Sequence, residues 1–216
     1  MEDALDRPLA VWLHVMQQRI MERTTYHGIP TLKNPLDFWV YQEIMWDSRP
    51  DVVVEIGNFR GGSTLALAHM ADLVGHGRIV AVDRDHDGIA PRAKAHPRIT
   101  FVTGKACDVV STVAAAIPSG ASVMVLEDSA HTYEHTSRVL EAYSPLVTPG
   151  QYFIVEDGIC HHGLDVGPKP GPYEAVEAFV RRNPDFVVDR DKESFGITWN
   201  PKGYLKRTPA GRSPNG

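Results

Sequence analysis

Cysteine is nearly missing from this chain. Cys107 and Cys160 are the only two in 216 residues, and their wide separation predicts no disulfide framework and a reducing compartment. Also missing are an apolar run of membrane-spanning length and a basic start leading into an apolar core. Neither a membrane span nor a secretory signal is therefore expected, and the expected location is cytoplasmic. Positive charge is in deficit: 22 Lys and Arg face 27 Asp and Glu, for a net charge of -5. With no long basic run, a nucleic-acid surface is not expected, because binding phosphates takes clustered Lys and Arg. The chain also lacks the G-x-G-x-x-G that cradles a dinucleotide pyrophosphate.

What is present centres on residues 50–63, PDVVVEIGNFRGGS. Val52, Val53 and Val54 form a β-branched run suited to a strand covered on both faces. Glu55, Ile56 and Gly57 close that strand, and residues 58–63 turn into an alanine- and leucine-rich helix. The glycines allow close backbone approach to a ligand, and the new helix offers its free N–H groups. The spacing E-x-G-x-x-x-G resembles the first motif of class I S-adenosylmethionine-dependent methyltransferases, although a tight structural turn would read similarly.

Strands and helices then alternate. Residues 77–83 read as a second strand ending in Asp83, about where a carboxylate accepts both hydroxyls of a ribose. Residues 98–104 read as a third strand, after which Ala106 is small enough to admit an adenine edge. Residues 121–128 and 151–158 read as further strands tipped by Glu127-Asp128 and Glu156-Asp157. The fold class expected is α/β: a doubly wound, mostly parallel, Rossmann-like sheet with an antiparallel edge strand supplied by residues 186–189 and 195–200. Its domains are expected as an N-terminal helical lid or oligomerisation segment (1–49), a donor-binding domain (50–207) and a disordered tail (208–216).

In a parallel sheet the acidic tips share one edge. Carboxylates so close repel unless a cation intervenes, so Asp128, Glu156 and Asp157 are expected to hold Mg²⁺ or Mn²⁺; the alternative is that some cap helices. His131, three residues after Asp128, is the expected base, with His135, His161 and His162 as weaker candidates.

Residues 26–207 resemble the family labelled cephalosporin hydroxylase, which includes rhamnosyl and macrolide-sugar O-methyltransferases. The phrases that carry the resemblance are KNPLDFWVYQE (33–43), residues 55–63, DSAH (128–131), YFIVED (152–157) and NPKGYLK (200–206). The resemblance implies an S-adenosylmethionine site at Glu55, Gly57, Gly62 and Asp83, and Mg²⁺ at Asp128, Glu156 and Asp157. With the flanking positions, the expected donor-binding set is Glu55, Gly57, Asn58, Gly62, Ser63, Asp83, Ala106 and Asp128. Related catechol methyltransferases carry a lysine base where this chain has His131. The activity expected is a metal-assisted O-methyl transfer to a sugar or vicinal-diol hydroxyl of a glycosylated or polyhydroxylated metabolite, by a homo-oligomer. Its rivals are an oxygenase on the same scaffold and a non-catalytic donor-binding partner protein.

Overall fold

The computed structural model describes residues 6–209. Helix α1 (Leu9–Arg23) leads into a small hairpin of β1 (Thr25–Tyr26) and β2 (Ile29–Pro30). Helix α2 (Pro35–Ser48) follows. Asn34 starts it by accepting a hydrogen bond from the Leu36 N–H at 3.2 Å, and Pro35 sits where an N–H would find no partner. Next come β3 (Val52–Ile56), α3 (Gly62–Val74), β4 (Arg78–Asp83), α4 (Pro91–Lys94) and β5 (Ile99–Thr103). The chain continues through α5 (Val110–Ala116), β6 (Val123–Glu127), α6 (Tyr133–Tyr143), β7 (Tyr152–Val155), α7 (Pro172–Arg182), β8 (Phe186–Val188) and β9 (Tyr204–Arg207).

Seven strands form one sheet in the order β5-β4-β3-β6-β7-β9-β8. The pairings from β5 to β7 are parallel, whereas β9 runs antiparallel to both of its neighbours. The doubly wound α/β class is as expected. After β5 the chain crosses back and lays β6 on the other side of β3. Such a reversal opens a crevice at the carboxyl ends of the strands.

The pleat sorts the valine run between two cores. Val52, Val54 and Ile56 pack with Val139, Leu140 and Tyr143 of α6 and Phe179 of α7. Val53 packs with Val40, Tyr41 and Ile44 of α2 and Leu67 and Ala68 of α3. All five β3 residues are buried, as a strand covered on both faces requires.

The antiparallel pair differs from expectation in its second arm. Residues 195–200 form no strand, and β8 pairs instead with Tyr204–Arg207, which lies between β7 and β8. The polar groups of residues 198–200 are engaged by α2. The Trp199 N–H donates to Asp37 Oδ2 at 2.9 Å, the Thr198 hydroxyl to Asp37 Oδ1 at 2.5 Å, and the Asn200 side-chain amide to the Tyr41 hydroxyl at 2.7 Å. Among the described residues no helix is long and apolar enough to cross a membrane. The expected tail falls outside the described residues from position 210 onward.

Candidate functional site

Backbone hydrogen bonds carry the strand tips past the end of the sheet in step. The Gly57 N–H donates to Val82 O at 2.9 Å, the Asp128 N–H to Ile56 O at 2.8 Å and the Glu156 N–H to Glu127 O at 3.0 Å. Above this rim lies a cavity of about 810 Å³. Its floor includes Gly57, Asn58, Asp83, Asp128 and Asp157, and Gln17, Ile20 and Met21 of α1 form part of its wall.

One side of the cavity is shaped for a ligand that approaches backbone. Gly57 has φ +90°, and a Cβ there would lie 2.0 Å from the carbonyl oxygen of Asp128. At Gly62 a Cβ would meet Thr31 Oγ1 at 1.9 Å. Helix α3 starts from Gly61 with no side chain capping it, so Gly62 and Ser63 bring its positive end to the wall. Asp83 is fixed by two backbone donors, Asn58 N–H on Oδ2 at 2.8 Å and Arg84 N–H on Oδ1 at 2.7 Å. Each oxygen keeps a further lone pair for a hydroxyl. Ala106 also borders the cavity.

Glu55 does not border it. Its carboxylate is fully buried beneath the turn, where Oε2 accepts from the Asn58 amide at 2.8 Å and from the Thr64 hydroxyl. Oε1 has no hydrogen-bond partner. Burial, only partly offset by the charge of Lys33, raises its pKa above the usual carboxylate value. Glu55 braces the turn from behind, which departs from the expected direct contact with the donor.

On the other side, Asp128, His131 and Asp157 bring potential ligand atoms within 4.8 Å of one another. His131 Nδ1 stands 3.3 Å from Asp157 Oδ2, and its Nε2 stands 3.8 Å from Asp128 Oδ1. Both His131 (φ +52°) and Asp157 (φ +58°) are left-handed, a conformation that non-glycine residues adopt at a cost and that collects at functional sites. Burial raises the Asp157 pKa, with His131 opposing the shift.

The sequence reading grouped Glu156 with these ligands, and the structure gives it another partner. Lys33, from the segment joining β2 to α2, is hydrogen-bonded to both Glu156 Oε1 and Asp128 Oδ2. Its side chain is 4% exposed and that of Glu156 7%. Burial alone would lower the Lys33 pKa, yet the carboxylates of Asp128 and Glu156 outweigh it and hold the pKa above the ordinary lysine value. The Glu156 pKa is pushed well up by burial and by Asp128, with Lys33 opposing. Nothing in local spacing ties Lys33 to acids that follow it by 95 and 123 positions. The available signals were its place in the phrase KNPLDFWVYQE and in the turn-rich stretch of residues 25–35, whose Tyr, His and Lys side chains suit a loop that contacts substrate or a plain connection.

Neighbouring groups are otherwise engaged. Burial pushes the Glu127 carboxyl up to about 7, and the Ser129 hydroxyl donates to it at 2.7 Å. His135 lies 2.8 Å from the same hydroxyl. His161 pairs with Asp165 at 2.7 Å and His162 with Glu174 at 2.9 Å. Cys107 and Cys160 are both free thiols on the cavity wall. The rim thus presents a carboxylate with acceptor sites to spare, an uncapped helix N-terminus, two neighbouring acids and an imidazole, a set chemically suited to a diol, an anionic group, a cation and a proton respectively.

Comparison with known proteins gives a consistent picture. The family described as rhamnosyl O-methyltransferase/CmcI matches residues 18–208. The rhamnosyl O-methyltransferase of Mycobacterium tuberculosis is 34% identical over 197 residues, covering 87% of this chain and 80% of its own. That of Mycobacterium leprae is 32% identical over 198 residues, covering 87% of this chain and 85% of its own. Among solved structures, CmcI described with Mg and SAM has a TM-score of 0.68 at 22% identity, covering 86% of this chain and 77% of its own. An O-methyltransferase from Bacillus cereus in complex with SAH has a TM-score of 0.56 at 19% identity, covering 86% and 85% respectively. At these identities the structural likeness is one of fold.

Proposed function

This chain belongs to the rhamnosyl O-methyltransferase/CmcI family, and from that premise we propose that it is an S-adenosylmethionine-dependent O-methyltransferase acting on a sugar or vicinal-diol hydroxyl with a divalent cation. The observation that carries the reading is a single cavity bordered by Asp83 and the uncapped start of α3 on one side and by Asp128, His131 and Asp157 on the other.

In this reading Asp83 binds the ribose hydroxyls of the donor, and Gly57 and Gly62 let it lie against backbone. The N-terminal end of α3 accepts its carboxylate. Asp128 and Asp157 fit a cation, since Mg²⁺ is commonly held by one or two carboxylates with water completing the shell. When bound, it would lower the pKa of the acceptor hydroxyl and orient it. His131 is the proton acceptor. With Nδ1 facing Asp157 Oδ2 at 3.3 Å, its Nε2 takes the hydroxyl proton as the new O–C bond forms and the donor's C–S bond breaks. The products are the methyl ether and S-adenosylhomocysteine. Helix α1 closes one wall of the site, which supports the lid role of the N-terminal segment.

Calorimetry with S-adenosylmethionine and mass detection of a methylated glycoside test the reading. Asp83→Ala should weaken donor binding by roughly 10- to 100-fold, as loss of charge-assisted hydrogen bonds would. His131→Ala should lower kcat by about 100-fold while leaving donor affinity unchanged. Absence of donor binding to the native protein would sink the proposal, and turnover without a methyl donor would favour the oxygenase alternative.

A further inference from the structure

Resting on that function, we propose that Gln17 of α1 is a specificity-determining residue for the acceptor: its side-chain amide, turned by Trp199, presents its N–H groups to the acceptor from an uncharged, largely apolar wall. The indole N–H of Trp199 donates to Gln17 Oε1 at 2.7 Å. An indole N–H can only donate, so the amide oxygen must face it and the amide nitrogen must point away. Gln17 borders the cavity, and among the described residues that nitrogen donates to no other group.

Trp199 is itself fixed. Its N–H donates to Asp37 Oδ2 at 2.9 Å, and its carbonyl accepts at 3.0 Å from the N–H of Ile159, which closely follows Asp157. The indole packs with Leu13 and Ile20 of α1 and with Ile159 and Leu164. Gln17 is thereby set relative to Asp157 rather than to the donor-binding turn. The two ends of the cavity also differ in charge. Asp83, Arg84, Lys105, Asp108 and Arg138 border it on the donor side. Of the residues that α1, Trp199 and residues 159–168 present to it, none is ionised, since burial pushes the Cys160 thiol up to about 11. Ile20, Met21, Ile159, Leu164 and Val166 give that end an apolar lining, and an amide donor set among them fixes the orientation of what binds there. The acceptor that fits is uncharged, with an oxygen for Gln17 and an apolar body beyond its sugar ring.

The test uses octyl and methyl rhamnoside as probes on the full chain saturated with S-adenosylhomocysteine and Mg²⁺, with binding read by calorimetry. Octyl rhamnoside should bind the native protein at least about tenfold more tightly than methyl rhamnoside, through burial of its apolar chain on that wall. Gln17→Glu keeps an oxygen for the Trp199 N–H but loses the amide donor. It should weaken octyl rhamnoside binding roughly five- to tenfold and leave S-adenosylhomocysteine affinity unchanged. Trp199→Phe lets the amide turn and should weaken the same binding by about threefold or more. In methyl transfer to octyl rhamnoside, both losses should appear as a raised KM for the acceptor, with kcat within about twofold of native.

If Gln17→Glu does not fold, Gln17→Met, which lacks the donor and brings no charge, takes its place with the same expected loss. Equal binding of the two rhamnosides by the native protein, binding of neither, or a Gln17 variant that holds octyl rhamnoside as the native protein does overturns the proposal. So does a loss of S-adenosylhomocysteine affinity that matches the loss of acceptor affinity, the mark of a residue that only docks α1. Binding of S-adenosylhomocysteine to the native protein separates the two claims. If it persists while these results fail, only the role of Gln17 is lost; its absence removes the methyltransferase reading itself.

Discussion

Gly57 stands where the tip of β3 meets the tip of β6. Its left-handed φ and the 2.0 Å approach of any Cβ to a carbonyl oxygen of the neighbouring strand leave no room for a side chain. Gly57→Ala should therefore cost more than about 2 kcal/mol in urea unfolding, through strain and overpacking together. Two residues earlier, Glu55 shows how the sequence reading went astray at this scale. It treated an acid at a strand tip as a ligand contact, yet residues two apart on a strand share a face. Val53 packs against α2 and α3, so Glu55 also points there and meets Thr64 of α3. The periodicity that decides its direction was in the sequence; the position at the tip drew the attention instead. For Lys33 no such periodicity exists, because its partners come from two other strands.

Between elements, Asp37 is the residue that binds one to another. Its carboxylate, buried in α2, accepts from Asn34, from the Thr198 hydroxyl and Trp199 N–H, and from the Tyr204 hydroxyl of β9. Replacement by Ala would leave these donors unsatisfied in the interior. Asp37→Ala should destabilise the fold by about 3 kcal/mol or more in chemical denaturation. The same contacts explain why residues 195–200 are not a strand. Their apolar and β-branched composition suggests one, but Gly196 (φ +72°) breaks the extended path and Asp37 takes the donors a sheet partner would have used. The parallel strands were legible because each is a compact apolar run ended by a turn signal. β9 was harder to see, since Lys206 and Arg207 within it read as surface.

At the scale of the whole molecule, a group of imidazoles ties the β1–β2 hairpin, α3 and the approach to β5. His69 accepts or donates to the Tyr26 hydroxyl at 3.0 Å and has the rings of His27 and His96 at 5.6 and 5.4 Å. Burial and the two other imidazoles hold its pKa below the ordinary 6.5, with Asp72 opposing and Arg92 reinforcing. Below that pH the unfolded chain binds a proton that the folded chain resists. The stability contributed by neutral His69 is thus present above about 6.5 and lost as pH falls. His69→Gln should remove this contribution, so that between pH 7.5 and 5.5 Tm of the variant falls less, or rises more, than that of the native protein, the raised Glu127 carboxyl acting in the opposite sense in both.

The alternation of apolar runs with glycine and proline turns determined the doubly wound sheet, because each of its parallel strands announces itself within a dozen residues. It also determined that Asp83, Asp128 and Asp157 share one rim, since parallel strands end on the same side. Only the tertiary structure decided which way each acid faces and what meets it. Face, partner and protonation at the rim depend on Lys33, α2 and the turn beneath Gly57, which approach from elsewhere in the chain and act through space.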